Sequence, residues 1–319
     1  MNVIVEIVAP IVALIAVGYG AARFRVIDSD GVRALSDVTF MLFLPALLFG
    51  AMARTDFEHI ALTAPGAYFS AALALFFTVF AVQRWRGYTN DNSALHALAA
   101  VLSNNVMLGI PLVRLAFGEQ GLAILLTIIA MHALILLTVA TLVIEFGRAM
   151  VIAPDAPVPP VTARLLGALW PALRGAVLHP VVLPIVAGVA WSLLHWSLPA
   201  PLDAALKLMA AAAAPLCLVL LGASLAQHAI SAGWSGVIGL SALKIMVHPL
   251  LVYSLGRWVF GLDQLTLAVT TIAAGLPIGA NVYLMAQRYR VALPAVSGGV
   301  TLSTVVCALT LPLLLAWLG

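Results

Sequence analysis

Charge is what this sequence has least of. Only 27 of its 319 residues are Lys, Arg, Asp or Glu, where a water-soluble domain of that length carries roughly 80. The shortage leaves too little polar surface to face water all round, and it excludes a large soluble domain. Cysteine is nearly missing too. Cys217 and Cys307 stand alone in apolar runs with no CxxC pair, which excludes a disulfide framework and a thiolate metal centre. No Walker-type phosphate loop, HExxH, GxSxG or pair of intramembrane aspartates is present, so ATP-driven pumping and the familiar intramembrane hydrolases are excluded. The chain is therefore read as no enzyme, with no cofactor and no metal. Basic clusters long enough to follow a phosphate backbone are missing as well, so the net charge of +3 does not point to nucleic acid.

Apolar residues are what is there. They make up 64% of the chain, about 204 side chains, and the mean hydropathy is +1.14. A membrane-crossing helix needs ~20 apolar residues, so the supply suits about ten. Ten runs are found, at 3–22, 37–53, 65–83, 94–117, 121–145, 176–196, 202–227, 234–257, 264–287 and 293–318. They are apolar on nearly every side, which separates them from the alternating strands of a barrel. The expected fold is an all-α polytopic membrane protein. Met1-Asn2-Val3 offers no positive region before the first run, which therefore reads as a span rather than a cleaved signal.

The longest connection, 147–175, holds Pro154, Pro157, Pro159, Pro160 and Pro171 and divides the chain near its middle. Five spans on each side, 1–146 and 176–319, make the second half enter the membrane with the opposite orientation, as in an inverted repeat. Lys and Arg in the loops set the direction. With the N-terminus outside, ten arginines (23, 25, 33, 84, 86, 148, 164, 174, 288, 290) lie inside and three (54, 114, 257) outside. Both termini are expected outside and the central connection in the cytoplasm.

Polar groups within the spans are expensive and so point to function. The fourth span reads Ser103-Asn104-Asn105-Val-Met-Leu-Gly109-Ile-Pro111, and Gly109 with Pro111 predicts an interrupted helix there. The ninth reads Gly275-Leu276-Pro277-Ile278-Gly279-Ala280-Asn281-Val-Tyr283, with a second interruption at Gly275 and Pro277. Corresponding interruptions in two halves point to a transport site, because half-helix N-termini there present free N–H groups and positive dipole ends. Such a site favours an anion. Asn104, Asn105, Gly279, Asn281 and Tyr283 are its candidate contacts, the asparagines adding donors without fixed charge. Lys244, about ten residues from either end of the eighth span and one turn before His248, is too deep to reach the headgroups. It serves either as a fixed charge holding the carbonyl ends of the broken helices or as a proton site. His132 reads as a packing residue, Glu6 and Lys207 as span-end charges, and Trp191 as a packing ring. Ser224, Gln227 and His228 end the seventh span, where they suit an inner vestibule.

Asn104-Asn-Val-Met-Leu-Gly-Ile-Pro111, Leu243-Lys-Ile-Met-Val-His-Pro249 and Gly275-Leu-Pro-Ile-Gly-Ala-Asn281 together resemble the auxin efflux carrier family, whose bacterial members are often called malonate or malate permeases. Leu42-Phe-Leu-Pro-Ala-Leu-Leu-Phe49 and Leu220-Leu-Gly-Ala-Ser-Leu225 extend the resemblance over the whole chain. It implies a fold like that of bile-acid sodium symporters: spans 1, 2, 6 and 7 as scaffold, spans 3–5 and 8–10 as a moving transport domain, and spans 4 and 9 crossing at mid-membrane. It also implies a multi-pass protein of the bacterial inner membrane that moves small carboxylates by an elevator motion. Asn104 is similar to the substrate-contacting asparagine of the plant carriers and Leu276-Pro277 to their ninth-span pair, while Ser103 stands where the plant pattern has proline. The reading is a secondary transporter of small organic anions such as malonate, malate or auxin-like acids, with proton coupling and uniport both open. A channel or a substrate sensor built on the same broken helices is the alternative. The resemblance favours a homodimer through the scaffold spans, although Gly18 and Gly20 suit packing within one protomer equally well.

Overall fold

A computed structural model of the chain describes residues 3–55, 63–150, 167, 180–227 and 234–318. These are almost entirely helical. Six helical runs among them are long and apolar enough to cross a membrane: Ser29–Ala53, Thr63–Trp85, Asn105–Arg148, Ala200–Ala226, Gly236–Trp258 and Leu293–Leu318. The apolar helices Val8–Arg23, Val182–Leu193 and Gln264–Gly275 are shorter.

Helix α1 spans Val3–Arg23. The next run starts earlier than its apolar stretch suggests: α2 (Ser29–Val38) is capped by the Asp28 carboxylate, which accepts from the Gly31 N–H at 2.8 Å. A single wide π-turn, Thr39–Phe43, then leads into α3 (Leu44–Ala53). α4 spans Thr63–Trp85 and α5 spans Asn90–Val101, capped by Thr89. After a short non-helical stretch, a π-turn at Asn105–Gly109 opens α6 (Ile110–His132); another, Ala133–Leu137, joins it to α7 (Thr138–Met150). The second half supplies α8 (Val182–Leu193), α9 (Ala200–Gln227), α10 (Trp234–Ala242), the π-turn Leu243–Val247 and α11 (His248–Trp258). α12 (Gln264–Gly275), α13 (Ala280–Tyr289) and α14 (Leu293–Leu318) complete the chain. The connection at 147–175, His228 and the start of the expected sixth span lie largely or wholly outside the described residues.

Three of the four π-turns among the described residues share one cause. Pro45, Pro111 and Pro249 each stand two residues beyond such a turn. Proline has no N–H to donate, and its ring collides with the carbonyl four residues back; one extra residue in the preceding turn relieves both problems and lets the helix run on. A straight helix of Asn105–Arg148 would reach about 65 Å, twice the hydrocarbon core. It is instead a hairpin: Gly118 adopts φ 64°, ψ −157°, and the chain folds back so that Leu125 lies 3.5 Å from where a Cβ on Gly109 would be. The turn falls between the fourth and fifth apolar runs.

The helices pack in two groups. α1 lies along α9 so closely that a Cβ on Gly18 would sit 1.9 Å from the Val219 carbonyl oxygen, and one on Gly222 1.9 Å from that of Ile15. α3 packs on α8 and α9, with Gly188 against the Phe49 carbonyl and Trp191 edge-on to Phe49 and Trp196. In the other group α4 packs on α5 and α11, α5 on α7, α12 on α6 and α11, and α14 on α10, α12 and α13.

Candidate functional site

Two helices stop inside the membrane-spanning body and restart. α5 ends at Val101 and the chain resumes helical geometry at Asn105; α12 ends at Gly275 and α13 begins at Ala280. The intervening segments cross and pair as an isolated antiparallel bridge between Ser103 and Ile278. Asn104 N donates to the Pro277 carbonyl and Gly279 N to the Leu102 carbonyl, both at 2.9 Å. Side chains satisfy the outward N–H groups: Ser103 N points to His132 Nε2 at 3.5 Å, and Ile278 N donates to Ser303 Oγ at 3.1 Å.

The first interruption is not where Gly109 and Pro111 predict. It falls at Leu102–Asn104, because the wide turn Asn105–Gly109 absorbs Pro111 without ending the helix. Gly109 has a different role, since its missing Cβ leaves room for the Leu276 side chain, 2.8 Å from where that Cβ would be. Gly275 ends α12 and Pro277 lies within the second interruption.

Beside the crossing lies a cavity of about 400 Å³. Asn104, Asn105, Gly279 and Asn281 line it, together with Ser103 and His132. The opposite wall comes from α2, its following turn, α8 and α9, through Val32, Ser36, Phe40, Val182, Leu220 and Ser224. Tyr283 is half-buried one turn along α13 and is not among the lining residues. Two helix starts therefore face one space. Asn104 caps the first, its Oδ1 accepting from Met107 N at 3.3 Å, while Gly279 opens the second with no side-chain cap. Asn105 is 1% exposed, and neither its Oδ1 nor its Nδ2 makes a well-formed hydrogen bond to protein, although the Tyr68 hydroxyl is close by. A buried amide left in that state on a cavity wall calls for a ligand or water. Among the described residues neither lysine nor arginine lines the cavity.

Lys244 lies behind the crossing rather than in the cavity. Fully buried, it donates to the Ala274 carbonyl in the last turn of α12, and its Nζ is 3.4 Å from His248 Nδ1. A cation at that carbonyl end opposes the negative pole of the half-helix. Tyr68, on α4, meets the first interrupted segment. Its hydroxyl lies 3.0 Å from Ser103 Oγ and 3.1 Å from His132 Nε2, and its ring meets those of His132 and His248 at 5.6 and 5.3 Å. Among the described residues no group of three His, Cys, Asp or Glu side chains is placed to hold a metal.

The family described as membrane transport protein matches residues 3–315. The chain belongs to that membrane transport family. Its relatives in the family carry the auxin efflux carrier resemblance from end to end. It is 27% identical to the protein named "Putative malonate transporter" of Rhizobium meliloti (strain 1021), over 97% of this chain and 94% of the relative. It is 22% identical to "Auxin efflux carrier component 5" of Arabidopsis thaliana, over 98% of this chain and 95% of the relative. An "Uncharacterized transporter" of Methanothermobacter thermautotrophicus is 22% identical, over 97% and 96% of the two chains.

In this transport-family member, sequence patterning finds the asparagines and both interrupted spans but misses Tyr68 and His132. A lone histidine in an apolar run reads as packing, and His132 does pack; its Nε2 nonetheless meets Ser103 and Tyr68 at the cavity wall. The available signal was the polar triplet Ser103-Asn104-Asn105, whose buried groups require partners from other helices.

Proposed function

We propose that the protein is a secondary carrier of small organic anions, binding one carboxylate where the two interrupted helices cross. The observation that carries this reading is the convergence of two half-helix N-termini and the buried Asn105 amide on one cavity that, among the described residues, has no lysine or arginine in its lining. Each helix start bears about half a positive charge, so together they offset about one negative charge. A second carboxylate would lie unpaired against apolar walls such as Val182, Leu220 and Leu284. The cargo is accordingly a monoanion: a monocarboxylate, or a dicarboxylate such as malonate in its singly protonated form. With no ATP-driving motif, the energy comes from gradients, either by proton coupling or by uniport.

The architecture belongs to the same proposal. Ten spans form two inverted five-helix repeats, an arrangement supported by matched roles: His132 and Ser303, each from the fifth span of its half, hold the outward N–H groups of the crossing, while Tyr68 and Lys244 come from the third. The group of α1, α2–α3, α8 and α9 is the scaffold, and the remainder moves as the transport domain in an elevator cycle. The arginine-rich loops support an orientation with both termini outside a bacterial inner membrane and the cavity open inward, and the scaffold is the face for a homodimer. The malonate named for one relative makes it the first probe.

Proteoliposome counterflow with labelled malonate tests the reading. Unlabelled monocarboxylates are expected to compete, and exchange at fixed total malonate is expected to rise as the pH falls toward the second malonic acid pKa. Asn104→Ala should lose exchange with folded yield retained, and Asn104→Asp, which keeps the cap but adds a negative charge, should lose it too. Absence of saturable exchange for every carboxylate by folded protein would remove the carrier reading and favour a sensor; flux without counterflow would favour a channel.

A further inference from the structure

A second cavity, of about 260 Å³, lies at the far end of the seam that holds the first. The same elements wall both. The run from α2 to α3 gives Ser36 and Phe40 to the first cavity and Ala51 and Arg54 to the second; α9 gives Leu220 and Ser224 to the first and Lys207 and Ala210 to the second. On the facing side Met107 lines the first and Arg114 the second, roughly 10 Å further along the helix. Leu44, Leu48, Leu108, Leu112 and Cys217 fall between these positions in the chain and are all buried, closing the seam.

The chemistry of the two spaces differs. Among the described residues the crossing cavity has no lysine or arginine, whereas the second is lined by Arg54, Arg114 and Lys207 with Glu119 beside them. Asp203 serves two of these cations at once, accepting from Arg54 Nε and Nη2 at 2.8 and 2.6 Å and from Lys207 Nζ at 2.6 Å. Arg114 pairs with Glu119 at 2.8 Å. Among the described residues the wall of α3 and α9 thus keeps one positive charge in excess. A guanidinium has five donors and an ammonium three, so these pairs leave N–H groups over on both sides of the seam.

We propose that this second cavity is a docking site for a dissolved carboxylate, held across the seam by Lys207 and Arg114 on its way to or from the crossing. The site rests on the carrier reading above and deepens it: an anion is first collected by mobile, hydrated charges at the Arg54 end and then handed to a charge-free site that releases it easily. Partial exposure suits capture, since Lys207 is 64% and Arg114 36% exposed at the side chain.

The test measures half-saturating malonate separately in right-side-out and inverted membrane vesicles carrying the full-length protein. Lys207→Gln and Arg114→Gln are each expected to raise it about fivefold at the face bearing this cavity, the effect of one partly exposed ion pair. The value at the other face should not change, Lys207→Arg should behave as wild type, and added salt should shrink the difference. Unchanged half-saturation at that face, or an equal rise at both, would overturn the docking site and leave the carrier reading intact if Asn104→Ala still abolishes exchange. A wild type that exchanges no carboxylate overturns both. Reconstitution with and without phosphatidylglycerol separates a lipid headgroup from the dissolved anion: an effect of Lys207→Gln seen only with the anionic lipid refutes the proposal.

Discussion

Replacing Lys244 by Met keeps the volume and the apolar stem of the side chain and removes only the ammonium. In the folded protein that ammonium is fully buried, donates to the Ala274 carbonyl and approaches His248 Nδ1 at 3.4 Å. Its loss takes the lysine donor from the Ala274 carbonyl, which His248 also reaches, at about 1–3 kcal/mol, and removes a cation from the negative pole of α12, worth up to about 2 kcal/mol. Relief from keeping a charge in a low-dielectric site opposes these losses. A net destabilisation of about 2 kcal/mol follows, or roughly thirtyfold in the unfolding equilibrium. Tryptophan fluorescence during chemical unfolding of detergent-solubilised wild type and variant reads this directly. Counterflow on the same preparations shows whether the crossing keeps its shape. If Lys244→Met equals the wild type in stability, the ammonium does not hold the carbonyl end of α12, and the positional argument for it is wrong.

Two further outcomes follow from single contacts. Gly18→Ala should cost folded yield, because its Cβ would meet the Val219 carbonyl oxygen at 1.9 Å; Gly20→Ala, with nothing nearer than the Phe24 ring at 4.0 Å, should be tolerated, and size-exclusion recovery compares them. Asp263, in the loop before α12, caps that helix through Thr266 N at 3.0 Å. Burial pushes its carboxyl pKa up, but the N–H groups and hydroxyl of Thr266 and the N–H of Leu265 outweigh that and hold it below its usual value. A lowered folded-state pKa means the cap's stabilisation is complete above the unfolded-state pKa and is lost as pH falls through the lowered one. Asp263→Asn should flatten the acid limb of a stability–pH curve, and an unchanged limb would assign that limb to other carboxylates.

Much of this arrangement is written locally. Ser103-Asn104-Asn105 and the Gly-Pro-Gly-Asn pattern at 275–281 pick out the two interrupted spans, because a hydrocarbon setting makes a polar residue conspicuous, although Gly109 and Pro111 point to a break one to two turns too late. The turn at Gly118 is visible as a gap between apolar runs. What local reading misjudged was the consequence of Pro111: a proline signals a broken backbone ladder, yet a widened turn accommodates it, as at Pro45 and Pro249. Long-range pairings were not legible at all. Nothing near Asp203 announces Arg54, and nothing in the run around His132 announces Tyr68. Such partners are fixed by how helices from distant stretches pack, and hydrophobic patterning along one helix carries no record of its neighbours.

The bridge between Ser103 and Ile278 has a consequence for biogenesis. When the first half has been synthesised and inserted, the Leu102 carbonyl and the Asn104 N–H have no partner yet, because Pro277 and Gly279 supply them from the second half. The early chain therefore carries a bare strand edge at membrane depth. It stays incomplete until the segment from Pro277 to Gly279 arrives, which makes the docking of that segment the step that completes the crossing.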